Sequence, residues 1–91
     1  MLNEKNVETP SAGLARELTF GEKSVGLTFN PSGDQKVQEI KEVFAKAIDI
    51  LNKMRPAYDG KPNEVSRMLA IAITEAQTAQ MWAVKAATWK Y

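Results

Sequence analysis

Val37-Gln38-Glu39-Ile40-Lys41-Glu42-Val43-Phe44-Ala45-Lys46-Ala47-Ile48-Asp49-Ile50-Leu51-Asn52-Lys53-Met54 decides the fold class. Its apolar residues Val37, Ile40, Phe44, Ala47, Leu51 and Met54 are spaced alternately by three and four. That spacing is the a/d seam of a helix. Val43, Ile48 and Ile50 widen the stripe, and Glu42–Lys46 and Asp49–Lys53 add i,i+4 pairs in the favourable order. Each such pair stabilises a helix by about 0.2–0.5 kcal/mol.

Signals on either side bound this helix. Upstream stands Asn30-Pro31-Ser32-Gly33-Asp34. Asn30 or Ser32 can cap, Pro31 suits a first helical position, and Asp34 favours the positive end of the dipole. Downstream, Pro56 stops the helix after Arg55. Ala57 to Pro62 reads as a turn, because Asp59-Gly60 and Pro62 are loop residues. Asn63 then caps a second helix running from Glu64 to about Lys90. A link of about six to eight residues between long helices makes them antiparallel neighbours.

The second helix differs from the first in composition. Sixteen of residues 64–90 are apolar and five are charged, whereas nine of residues 34–55 are charged. Val65, Leu69, Ala72, Ala76, Ala79, Ala83 and Ala86 form an alanine-rich seam that permits close helix approach. Met68, Ile71, Glu75, Thr78, Trp82, Lys85 and Trp89 form a second row beside it. Ile73, Gln77, Gln80, Val84 and Ala87 form a third row, placed opposite the seam. A helix apolar nearly all round must be covered nearly all round. One hairpin partner covers one side only, so the sequence predicts an all-α hairpin that assembles into a homo-oligomeric helical bundle.

Residues 1–33 contrast with both helices, which lack glycine and proline, by carrying four of the five glycines and two of the four prolines. We divide the chain into an N-terminal arm, 1–24, flexible at its start, and a hairpin domain, 25–91. Ser24-Val25-Gly26-Leu27-Thr28-Phe29 alternates in polarity and predicts a short extended segment. Ser11–Leu18 has the pattern of one or two helical turns, too short to persist unless docked.

Composition excludes several chemistries. With no cysteine and no histidine, disulfides, thiolate zinc sites, Ser-His-Asp triads and His-ligated metals cannot be built. No acidic cluster has metal-ligand spacing. Twelve Lys and Arg against 11 Asp and Glu leave a net charge of +1, too small for a duplex nucleic acid partner. No basic–apolar leader and no long apolar run is present, which predicts a soluble cytoplasmic protein with no membrane partner.

Certain residues admit more than one reading. Glu75 interrupts an apolar row, as a buried polar contact in the oligomer, a rim residue or a functional acid. Trp82 and Trp89 share a face, for oligomer packing or for base stacking. Phe29 precedes the helix start on the arm, docking it or touching a ligand. Lys36 and Lys41 are solvated cations by default. Arg67, in a helix poor in charge, is paired or ligand-bound. Backbone N–H groups at the first helix start either form a simple cap or hold an anion.

Two stretches carry a family resemblance. Gly26-Leu27-Thr28-Phe29-Asn30-Pro31-Ser32-Gly33 leads into Ile40-Lys41, and Arg67 precedes Ala72, Thr74-Glu75 and Ala79-Gln80-Met81-Trp82-Ala83-Val84-Lys85-Ala86. Together, over roughly residues 25–90, they resemble the helical-hairpin domain shared by phage anti-CBASS and anti-Thoeris sponge proteins. The resemblance implies a non-enzymatic multimer, often a hexamer, that sequesters cyclic nucleotide immune signals in the host bacterial cytoplasm. It implies no cofactor.

In that family an aromatic near the chain's start stacks on a base, and a lysine of the first long helix meets phosphate. The resemblance carries these roles to Phe29, with its neighbour Asn30, and to Lys41. Arg67 is the candidate for a second pocket. The family's usual tyrosine is phenylalanine here, and a threonine two residues beyond the lysine is Val43. The rival reading is a structural or protein-binding hairpin whose apolar second helix engages a partner protein.

Overall fold

A computed structural model describes residues 16–57 and 59–91, and among these residues the fold is wholly helical. Helix α1 spans Phe20–Val25, α2 spans Gln35–Lys53 and α3 spans Glu64–Ala87. The expectation for Ser11–Leu18 lies mostly outside the described residues.

Helix α1 corrects the extended reading of Ser24–Phe29. Thr19 and Glu22 form a reciprocal capping box: the Glu22 N–H donates to Thr19 Oγ1 at 3.1 Å, and the Thr19 N–H to Glu22 Oε1 at 2.8 Å. Arg16 clamps the same carboxylate with two hydrogen bonds of 2.6 Å. That clamp, first of all, holds the Glu22 carboxyl down at about 2, helped by the Thr19 N–H. Gly26, at φ 63°, closes the other end in the left-handed conformation, and the Leu27 N–H returns to Glu22 O at 2.9 Å. The alternation in Ser24–Phe29 is thus the last turn of a helix followed by its cap.

Helix α1 lies against α2 at unusually short range. A Cβ on Gly21 would stand 2.0 Å from the Ala45 carbonyl oxygen, so glycine is required there. The Gly21 N–H, left free by the first turn of α1, donates to Asp49 Oδ1 at 2.7 Å.

The start of α2 also differs from the expectation that Asn30 or Ser32 caps it. Asp34 is the cap, receiving the Lys36 N–H at 2.7 Å. Asn30 to Gly33 form a separate turn, closed by the Gly33 N–H on Asn30 O, with Gly33 at φ 65°. A left-handed residue there prevents the helix from starting at Pro31. Asn30 and Ser32 support the entry from outside: Asn30 Nδ2 donates to Asp34 O, and the Asp34 N–H to Ser32 Oγ.

Helices α2 and α3 run antiparallel, as their loop length requires. Val37 and Lys41 face Val84 and Gln80, while Ala45 and Ile48 share a core with Ile73. That core gathers Val25, Leu27, Ala45, Ile48 and Ile73, flanked by Leu18, Phe44, Leu51 and Ala76. Ile48 is fully buried at its centre, which contributes about 1.5–3 kcal/mol.

Both predicted seams hold in part: Val37 is buried and Phe44 and Leu51 pack on the core, but neither seam is the full inward stripe. On α2 the inward stripe is Val37, Lys41, Ala45 and Ile48, whereas Ala47 and Met54 face solvent. On α3 the buried residues are Leu69, Ile73 and Gln80. Ile73 and Gln80 belong to the row expected to lie opposite the seam; Leu69 belongs to the seam itself, whose Ala76 also packs on the core, while Val65, Ala79 and Ala86 are exposed. The row of Met68, Ile71, Trp82 and Trp89 is exposed in the protomer. Glu75 is also exposed in the protomer.

Candidate functional site

Lys41 sits in the inward stripe of α2 and is only 6% exposed. Its ammonium lies beneath the loop joining α1 to α2. There it donates to Gly26 O at 2.9 Å and to Phe29 O. The Phe29 ring centroid is 5.4 Å away, a cation–π contact. Burial lowers the Lys41 pKa below that of an ordinary lysine. A lysine here is tolerable because the helix-capping carbonyl at Gly26 and the loop carbonyl at Phe29 supply acceptors in place of water.

Phe29 itself is 70% exposed, so its outer face is free. It stands with Lys41 between two depressions. The larger, about 670 Å³, is floored by Lys41, Gly26 and the α3 residues from Thr74 to Val84. The smaller, about 220 Å³, lies toward Asn30, Val37 and Thr88. Pockets of about 300–1,000 Å³ suit small-molecule ligands. One wall of the larger depression is tied down: Gln77 Nε2 donates to Ser24 O at 3.1 Å, joining α3 to the end of α1.

The fold therefore brings together three of the four residues singled out from sequence. Phe29, Asn30 and Lys41 line the same cavity. Arg67 is not with them. It lies thirteen residues before Gln80 on α3, about 20 Å along the helix axis. It is exposed and held in a two-point pair by Glu64, at 3.0 and 2.5 Å. That pair lowers the Glu64 pKa.

Gln80 and Gln77 escaped the sequence reading. The signal was available: both are polar residues in the row that continues Ile73 and Val84. Asp49, read as a solvated partner of lysines, is instead half-buried beneath α1.

A family model described as the Acb2/Tad1 hairpin domain matches residues 22–88, nearly three-quarters of the chain. The chain belongs to this family. No curated protein and no solved structure matches it. The Acb2/Tad1 hairpin family is that of the anti-CBASS and anti-Thoeris sponges, a binding domain rather than an enzyme. The match covers α1 from its capping glutamate, all of α2 and all of α3, and so takes in the whole Lys41 cavity. Among the described residues no helix of this Acb2/Tad1 hairpin is long and apolar enough to cross a membrane.

Proposed function

We propose that this hairpin sequesters cyclic oligonucleotide immune signals without altering them. The ligands are cyclic di- or trinucleotides or cyclic ADP-ribose variants, held in the host bacterial cytoplasm. One observation carries the reading: an ammonium buried under an exposed aromatic ring, at the edge of a cavity of nucleotide size. Phe29 stacks on a base, an interaction of about 1–3 kcal/mol per base. Lys41 has three donors, two of them bound to backbone carbonyls. The third meets a phosphate oxygen. Asn30 fixes the turn that follows Phe29, through its bond to Asp34 O. Arg67 serves a separate pocket at the other end of α3.

The site is completed by assembly into a homo-oligomer, a hexamer by family likeness. Trp82 and Trp89, 67% and 60% exposed, flank Lys85 on the outer face of α3. With Met68 and Ile71 they form an apolar row too long to remain in water. A two-fold axis through such an interface presents Phe29 and Lys41 twice, matching the approximate symmetry of a cyclic dinucleotide.

The test mixes the purified protein with cyclic di-AMP, cyclic di-GMP, cyclic GMP–AMP and cyclic triadenylate. Free ligand is removed and the protein is then heated. Intact nucleotide in the heated supernatant supports a sponge. A converted nucleotide makes the protein an enzyme. No retention of any of them, nor of cyclic ADP-ribose in the same assay, leaves the protein-binding hairpin as the better reading. Lys41→Ala is expected to abolish retention.

A further inference from the structure

We propose that Gln80 reads the edge of the bound base. This rests on the cavity being the ligand site, and it names a residue for which no role has been given. Gln80 is 6% exposed, as deeply buried as Lys41, and lines the same depression from the opposite helix. Apart from the hydroxyl of Thr74, which is exposed, the other polar side chains lining the depression are engaged. Gln77 donates to Ser24 O, Thr78 donates to Thr74 O, and Lys41 donates to Gly26 O and Phe29 O. None of these bonds reaches Gln80, whose carboxamide has no partner among the described residues.

A buried carboxamide is costly to leave without partners, and replacing it by an apolar residue of the same shape relieves that cost. A glutamine kept there is accounted for by a partner that arrives with the ligand. Its chemistry is specific: one acceptor oxygen beside two N–H donors. The complementary group offers a donor next to an acceptor, as do the N6/N7 edge of adenine and the N1/O6 edge of guanine. A phosphate, with acceptors only, satisfies half of it. The site therefore divides its work. Lys41 meets the phosphate, Phe29 stacks on the base face, and Gln80, across the cavity, reads the base edge. Gln77, one turn earlier, is structural.

The two glutamines make the test. Gln80→Met and Gln77→Met are compared with the wild type in thermal melts without ligand, and in calorimetric titrations with the four cyclic nucleotides named above. Gln80→Met is expected to melt at or above the wild-type temperature. It should bind whichever nucleotide the wild type prefers about 10- to 100-fold more weakly. Gln77→Met should lower the melting temperature, because Ser24 O loses its donor. Gln80→Glu, which keeps the shape but removes the donors, should bind more weakly still. If the wild type binds and Gln80→Met binds within twofold of it, the assignment of Gln80 is overturned and the sponge reading stands. A Gln80→Met protein that melts several degrees early makes Gln80 structural and also overturns it. If the wild type binds neither the four nor cyclic ADP-ribose, the functional reading fails first and this one with it.

Discussion

Gly21→Ala is the most severe small change this fold admits. The added Cβ would lie 2.0 Å from the Ala45 carbonyl oxygen and 2.9 Å from Asp49 Oδ1. Real contacts of this kind do not fall below 3.0 Å, so α1 must retreat by about 1 Å or more. Overpacking of this sort costs about 1–3 kcal/mol. The retreat also stretches the 2.7 Å bond from the Gly21 N–H to the Asp49 carboxylate. A hydrogen bond to a charged group contributes about 1.5–3 kcal/mol. Against this, alanine restricts the unfolded chain and returns about 0.4–1 kcal/mol. The net loss is about 2–4 kcal/mol. For a domain of this size that lowers Tm by about 10–25 °C. Urea and thermal melts followed by circular dichroism, at fixed protomer concentration, measure it. Gly33→Ala provides the contrast: nothing lies within 4 Å of its Cβ, and only the left-handed backbone at φ 65° resists it. That strain costs about 1–2 kcal/mol. A Gly21→Ala protein within 0.5 kcal/mol of wild type would refute the close docking of α1 on α2.

Glu22→Gln keeps the capping box and loses the ion pair. It should cost a few degrees of Tm at neutral pH, little at pH 2 and nothing near about pH 1, because the wild-type carboxyl titrates at about 2 in the folded chain. A depressed carboxylate stabilises above its unfolded value, so the contribution fades as pH falls from about 5, through the folded value, to about 1. Melting curves of the two proteins across that range should converge. Lys41 has the opposite consequence at alkaline pH. Its ammonium is disfavoured by burial, so deprotonation sets in below the ordinary lysine value and nucleotide retention falls. Folding stability rises over the same interval, because the folded chain holds its proton less tightly than the unfolded one. Ligand titrations and urea melts in parallel buffers should move in opposite directions. Ile71→Glu, on the exposed row of α3, should lower the native oligomer mass and leave the helical content of the protomer unchanged. Ala76→Glu places a charge beside the core of Ile48 and Ile73. It should unfold the hairpin itself, which circular dichroism would report.

The two long helices, their antiparallel sense and the Asn63 cap were legible because each rests on local chemistry that tertiary contacts do not override. The glycine-free, proline-free runs, the Asp59-Gly60 turn and the loop length are of that kind. Helix α1 was not legible as a hydrophobic pattern, since six residues are too few to show a period. Its evidence lay in two polar residues three apart, Thr19 and Glu22, with Gly26 beyond. Reading polarity alternation there selected a strand, because Val25 and Leu27 are both buried: one in the last turn of α1, the other past its cap.

The departures from the two predicted seams share a cause. Counting apolar residues on α2 steps past Lys41 to Ile40, and the stripe then slips toward Ala47. Counting them on α3 steps past Gln77 and Gln80 to the alanines. In both helices the true inward stripe runs through a polar residue that a search for apolar periodicity rejects. A sequence under selection for packing alone places an apolar residue at such positions, since a buried lysine and a buried carboxamide each cost stability. Lys41 recovers part of that cost from Gly26 O and Phe29 O. Gln80, facing it across the cavity, recovers none from the described residues of the chain. Two polar residues facing each other from the buried stripes of adjacent helices, beneath an exposed aromatic ring, make a cavity whose chemistry is left incomplete in the free protomer. The misregister of the sequence reading is therefore itself a signal: both seams break at facing positions, and those positions line the cavity proposed for the ligand.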